Sequence, residues 1–325
     1  IKTADAFLSL SLVGDRLQHH DCIQLCRGPE LSRGDGHIIF QPHAFNLPGM
    51  TVISSVVDYG TEYQWDNFQR CEAAIAAIER YAPAVYDDFW ASMRLIGLKP
   101  EEEGTVYNTS CSRLTGASIL TAYSEPLVLA EDLIHEFHHN RLFAVEDHEP
   151  FFDNAIQDAV GEEVFYSPWR EDPRPLYGLF HAMHVFTSVG HFWLSVYQLN
   201  NARAECREYA ASRLARLQVQ LSCVETQLRS FAAFTPFGQM IFDELCDKLA
   251  RLNAGIDACD ISLDVSALVP EIDGSFTNVC DEESNLPLTI GEVLQQHAEQ
   301  YDVHGCCGDS LGNLKRGVIT LSTAT

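Results

Sequence analysis

The 325-residue chain is short of positive charge, with 21 Lys and Arg against 46 Asp and Glu and a formal net charge of -25. A surface of that sign repels a phosphate backbone instead of releasing its counterions, which argues against nucleic acid as a partner. The chain also lacks any apolar run near the roughly 20 residues that span a bilayer. Its richest stretch, 179–196, is broken by His181, His184 and His191, so no membrane segment is expected and the chain reads as soluble. None of its 11 cysteines forms a C-x-x-C pair, and the odd count sits in a chain too long for a disulfide-stapled mini-domain. Free thiols in a reducing cytoplasm are the expectation. No basic-then-apolar leader precedes Ile1, which reads as a trimmed or partial start without a signal peptide.

What remains is ample for a core: 46% of residues are apolar and 21% charged, which sets disorder aside. Residues 1–60 mix short apolar runs with turn signals such as Pro48-Gly49, a loop-rich entry with a few strands or short helices. Over 67–98 the positions Phe68, Cys71, Ile75, Ile78 and Tyr81 step by three and four, an amphipathic helix that Pro83 divides from a second. Two β-rich segments, 105–108 and 117–122, flank the turn-like Arg113-Leu114-Thr115-Gly116. Ser124 then suits an N-cap and Pro126 a first turn, ahead of the stripe Ala130, Leu133, Ile134 and Phe137. Further helices are expected over 176–199, along the seam Ala210, Leu214, Leu217, Leu221, Val224, Leu228 and Phe231, and from Pro236 to about Asn253. The reading is a mostly α (α+β) fold with a small β element and a metal site between two helices. One catalytic domain is placed over 1–263, with its motif core at 106–238, and an irregular extension over 264–325.

The chemistry begins at His135-Glu136-Phe137-His138-His139, an H-E-x-x-H pattern. On a helix, residues four apart share a face, so His135 and His139 can converge on one metal ion; the bland alternative is a helical face with solvated histidines. His138 is a spare. A catalytic zinc takes three protein ligands and a water, and non-haem Fe(II) takes three and leaves positions open, so the third ligand decides the class. The metzincin extension fails, because Leu142 and Val145 stand where Gly and His are needed. Glu162 or Glu163 could complete a zinc-dependent metallopeptidase site with Glu136 as its base. The competing third ligand is His181.

Arg174 lies between Pro173 and Pro175, just before a helix N-terminus, where its guanidinium could grip a carboxylate; Arg170 offers a second. Both could equally pair with Glu171, Asp172 or other acids.

His135 to His139, then Tyr166-Ser167-Pro168-Trp169-Arg170-Glu171-Asp172-Pro173-Arg174-Pro175-Leu176, Gly178-Leu179-Phe180-His181 and Phe192-Trp193, resemble in order the α-ketoglutarate-dependent HExxH-type peptide β-hydroxylases of ribosomal-peptide (RiPP) biosynthesis. The resemblance covers about 106–238. It implies a dioxygenase that uses Fe(II), O₂ and 2-oxoglutarate to hydroxylate a side-chain β-carbon in a precursor peptide. It implies His135, His139 and His181 as iron ligands, Glu136 as a group that orients a ligand or the oxidant, and Arg174, then Arg170, for the 2-oxoglutarate carboxylate. Ala182 departs from the glycine expected after the ligand. No feature of the sequence specifies an oligomeric state.

Overall fold

The computed structural model describes residues 5–13, 16–26, 30–34, 36–41, 60–99, 108–122, 125–153, 165–170, 174–199, 203–259 and 261. The expected extension over 264–325 and the candidates Glu162 and Glu163 lie outside the described residues, as do Ser124 and the 105–107 part of the first β-rich segment. The fold is mostly helical with a small five-stranded sheet. Two compact units divide the chain, one of Ile1–Ala77 with Tyr86–Leu133 and the other of Ile78–Val85 with Ile134–Thr325. The motif core expected over 106–238 is therefore shared between them, and all its histidines fall in the second.

The first unit holds the strands. β1 (Asp5–Val13) and β2 (Arg16–Cys26) form an antiparallel pair. The alternation of Leu8, Leu10 and Leu12 with Ser9 and Ser11 carries the period of a strand, and Gly14-Asp15 is hairpin sequence. The loop-rich entry thus contains more strand than its composition suggested. β3 (Glu30–Arg33), β4 (Gly36–Gln41), β5 (Leu95–Lys99), β6 (Thr109–Ser110) and β7 (Ala117–Thr121) make one sheet in the order β3-β4-β5-β7-β6. β5 is parallel to both its neighbours. The helical expectation up to residue 98 is corrected here. α1 (Gly60–Tyr81) and α2 (Pro83–Ser92) end first, and the buried run Ile96-Gly97-Leu98 is the middle strand. A short apolar run buried on both faces has no periodicity to separate strand from helix. Gly116, at φ +85°, lets the chain turn into β7 with its carbonyl accepting from the N–H groups of Arg94 and Leu95.

In the second unit, α3 (Pro126–Glu146), which begins in the first, is joined by α4 (Leu176–Gln198), α5 (Ala204–Phe231) and α6 (Pro236–Asp257). α4 packs along α5 and α6. Six of the seven expected seam positions, from Ala210 to Leu228, are fully buried, and the seventh, Phe231, is half-buried. Close approach of α4 and α6 rests on two glycines facing leucines: Leu252 lies over Gly190, and Leu194 lies over Gly255. A second cluster, Phe151, Phe152, Phe180, Phe234 and Phe242, closes the start of α6, with ring centroids from 4.8 Å (Phe234 to Phe242) to 5.7 Å (Phe152 to Phe180). Among the described residues no helix is long and apolar enough to cross a membrane, and six cysteines are free thiols. Burial pushes the thiols of Cys71 and Cys223 up to about 12, so neither is a nucleophile at neutral pH.

Candidate metal centre

Helix α3 forms because its apolar stripe, Ala130, Leu133, Ile134 and Phe137, has a buried face to fill. That stripe leaves His135 and His139 one turn apart on a partly exposed face, with ring centroids 4.8 Å apart. α4 begins after Pro175, and its first two turns bring in His181, which is 4% exposed. His181 Nδ1 stands 3.2 Å from His139 Nδ1, with the two rings nearly parallel. Two nitrogens each about 2.1 Å from one cation, at 90–109° to one another, stand about 3.0–3.4 Å apart. The pair therefore has the spacing of two adjacent ligands on one metal ion.

Each of these imidazoles is neutral at pH 7. Burial lowers His139 to about 4, and burial followed by the neighbouring His139 and His184 lowers His181 to about 3. His135 is held well below the ordinary value by burial first, then by His139 and the positive charge of Arg213. A neutral imidazole is the form that binds a metal. His181 Nε2 is buried with no hydrogen-bond partner, a cost of about 1–3 kcal/mol for a polar atom in the interior. The donor set thus fits a borderline cation such as Fe(II) or Zn(II).

The third predicted ligand is placed differently. Among the described residues no three His, Cys, Asp or Glu side chains already stand in a metal-holding arrangement. His135 meets the pair through its ring contact with His139, and its other neighbour is the edge-on ring of Phe186, 5.0 Å away. The site is walled by aromatic groups: Phe143 lies 5.3 Å and Tyr177 4.4 Å from His181, ring centre to ring centre. Tyr177 donates its hydroxyl to Glu146 Oε2 at 2.8 Å, and burial followed by this bond raises the phenol's pKa. Glu136 is buried, at 3% exposure, and its backbone carbonyl accepts from Asn140 Nδ2.

Arg174 sits at the entrance to α4. Its N–H donates to the Phe165 carbonyl and its carbonyl accepts from the Phe165 N–H, so residues 165 and 174 bridge as a short antiparallel pair. Its side chain runs beside Gly178, where a β-carbon would lie 3.6 Å from Arg174 Cβ and 3.9 Å from Cδ. Gly178 is three residues before His181, hence on the same helix face. Pro175 at the N-cap provides no side-chain acceptor to the first turn. Arg170 is exposed. Of the two arginines, Arg174 is the one fixed at the start of the helix that carries His181.

From sequence alone Phe186, Gln220 and Gln227 have no assigned role, and His138 and His184 have no partner. His138 and His184 form a second imidazole pair with centroids 5.2 Å apart. Both nitrogens of His138 and Nδ1 of His184 are buried without hydrogen-bond partners. Phe186 receives Trp169 stacked on it at 4.5 Å and the Arg213 guanidinium over its ring at 5.6 Å. Gln220 and Gln227, seven residues apart on α5, hold the 166–169 segment. Two amides beside an otherwise apolar heptad seam were the available signal for them.

These low imidazole pKa values predict an unusual pH dependence. A lowered value means that protons compete with metal only at more acidic pH. A histidine with the ordinary value of about 6.5 loses about 30-fold in apparent metal affinity at pH 5. Co(II) affinity, followed by its visible absorption, is expected to fall less than threefold between pH 7 and pH 5; a fall of 30-fold or more contradicts the neutral state of these imidazoles.

No family model matches the chain, and no curated protein matches it.

Proposed function

We propose that the protein is an Fe(II)- and 2-oxoglutarate-dependent oxygenase that hydroxylates the β-carbon of a residue in a ribosomally made precursor peptide. The reading is supported above all by the 3.2 Å approach of His139 and His181, from the two helices that carry the H-E-x-x-H motif and the Arg174-to-His181 run. The resemblance in the order of those motifs supplies the reaction class, and a cytoplasmic location belongs to the same proposal. His135, His139 and His181 would hold the iron as neutral ligands. Bound iron, O₂ and 2-oxoglutarate together supply the oxidation, in which one oxygen atom enters the peptide C–H bond and the other enters succinate as CO₂ leaves.

The chain's own part is binding, orientation and exclusion of water. Phe143, Tyr177 and Phe186 line the histidines with aromatic surface, leaving few groups that could hold stray water. Glu136, buried beside His135, would orient a ligand. Arg174 would grip the distal carboxylate of 2-oxoglutarate through two parallel hydrogen bonds. A charge-assisted pair of this kind is worth about 1.5–3 kcal/mol, or about 10- to 150-fold in affinity. Arg174→Gln is therefore expected to weaken 2-oxoglutarate binding about tenfold or more, measured by calorimetry on the metal-loaded protein, with metal affinity unchanged. Arg170→Gln, at an exposed position, should change it less than twofold. Equal losses from both variants would remove the basis for choosing Arg174.

Turnover separates this reading from a zinc peptidase. Incubation with Fe(II), O₂, 2-oxoglutarate and ascorbate should yield succinate above a His139→Ala background even without a peptide, with ascorbate supplying the two electrons that reduce the second oxygen atom to water. Zinc-loaded protein that cleaves peptides, with no succinate formed under iron, would overturn the oxygenase reading.

A further inference from the structure

Gln220 lies in the tight seam of α5, 7% exposed, where a leucine or valine would pack without the cost of burying an amide. Both ends of its side chain are used. Gln220 Oε1 accepts from Trp169 Nε1 at 2.9 Å, and Nε2 donates to the Pro168 carbonyl at 2.9 Å. An indole N–H can only donate and a carbonyl can only accept, so this pair of partners leaves the amide a single orientation. The bond to Trp169 fixes the rotation of the indole, which lies flat on Phe186 with centroids 4.5 Å apart and planes 15° apart. Phe186 in turn meets the His135 ring edge-on at 5.0 Å and 72°.

We infer that Gln220 is a positioning residue for His135, acting through Trp169 and Phe186. The inference rests on the proposed role of His135 as a metal ligand. It supplies what that role requires, since a ligand imidazole must be held at one rotation, and neighbours that fix it commonly change metal affinity by 10- to 100-fold. His135 is also the motif histidine not drawn to the His139–His181 pair by a direct nitrogen contact, so its orientation depends on what packs against it. Gln227 is an internal comparison. Its Nε2 donates to the Tyr166 carbonyl at 3.0 Å, so it holds the same segment but bonds the backbone and not the indole.

The test uses Co(II) as the probe, bound to the full chain and read by its visible absorption and by calorimetry. Gln220→Met keeps the volume and removes both hydrogen bonds; it is expected to weaken Co(II) about tenfold and to shift the absorption. Gln227→Met should leave affinity within twofold, although it also loosens the segment. In a Trp169→Phe background, Gln220→Met should add less than twofold, because the link is already cut. Gln220→Glu keeps the acceptor for Trp169 and should retain most of the affinity, which also serves if the methionine variant does not fold. Equal losses from Gln220→Met and Gln227→Met, or full additivity with Trp169→Phe, overturn the inference and leave Gln220 as a fastener of the segment. A His135→Ala protein that binds Co(II) like the wild type strikes at the ligand assignment itself, and the inference falls with it.

Discussion

Alanine at position 181 is expected to remove metal binding while leaving the protein folded. If the roughly 10–16 kcal/mol of a four-ligand zinc site is shared evenly, each ligand contributes about 2.5–4 kcal/mol, or two to three orders of magnitude in affinity. His181 is one half of the 3.2 Å nitrogen pair, so its loss leaves only His135 and His139, both from α3, as proposed ligands. The cost to the fold is smaller. His181→Ala deletes a ring packed against Tyr177 and Phe143, but it also deletes a buried Nε2 that has no hydrogen-bond partner. Those effects oppose each other. Metal content after dialysis, set beside a thermal unfolding curve, checks both halves of the expectation. Iron retained at wild-type stoichiometry in the variant contradicts the assignment.

Gly238→Ala should produce the largest loss of stability of any alanine substitution at the described glycines of the second unit. A β-carbon at this position would overlap the Phe151 carbonyl oxygen and come within 2.7 Å of the carbonyl carbon and 2.9 Å of Cα. All three are backbone atoms, so no side-chain rotation relieves the clash. The segment is also tied at that point. Phe151 O accepts from the Thr235 N–H at 2.9 Å, Thr235 Oγ1 donates to the Pro150 carbonyl at 2.8 Å, and the same hydroxyl caps α6 by accepting from the Gly238 N–H. Either the first turn of α6 or the buried Phe151 must move, and Phe151 rests on Phe180, the residue before His181. Overpacking of this kind costs about 1–3 kcal/mol and more where the backbone is the obstacle, so about 3 kcal/mol or more is expected. Loss of the cap in Thr235→Ala should cost about 1 kcal/mol. Denaturant unfolding would rank the two. A Gly238→Ala protein within about 0.5 kcal/mol of wild type would show that the close approach is not maintained in solution.

How far each feature could be read from sequence follows from how local its cause is. Helix α4 was legible almost to the residue, since the Pro173-Arg174-Pro175 start and an apolar period ending near Leu199 are both written in consecutive positions. The seam of α5 was legible for the same reason. β5 was not, because a five-residue strand buried on both faces shows no alternation, and its partners β4 and β7 lie far away in sequence. Within the site, His135 and His139 were marked by their spacing of four. His181 was marked only by its company, and nothing in one dimension places its Nδ1 against that of His139. Gln220 and Tyr177 depend wholly on tertiary neighbours, Trp169 for the one and Glu146 for the other. Arg170 and Arg174 looked alike as residue types. They differ in the fold because only Arg174 is bridged to Phe165 and laid along Gly178.

The central claim, a metal held by histidines from α3 and α4 that also receives 2-oxoglutarate, is tested most directly without oxygen and without a peptide. Fe(II) is added to the apoprotein under anaerobic conditions, 2-oxoglutarate is titrated in, and the visible spectrum is recorded. A weak charge-transfer band should appear, saturate at one equivalent, and be absent from His181→Ala. A spectrum that stays blank while the protein binds Zn(II) tightly, or a band that survives in His181→Ala, would contradict the account.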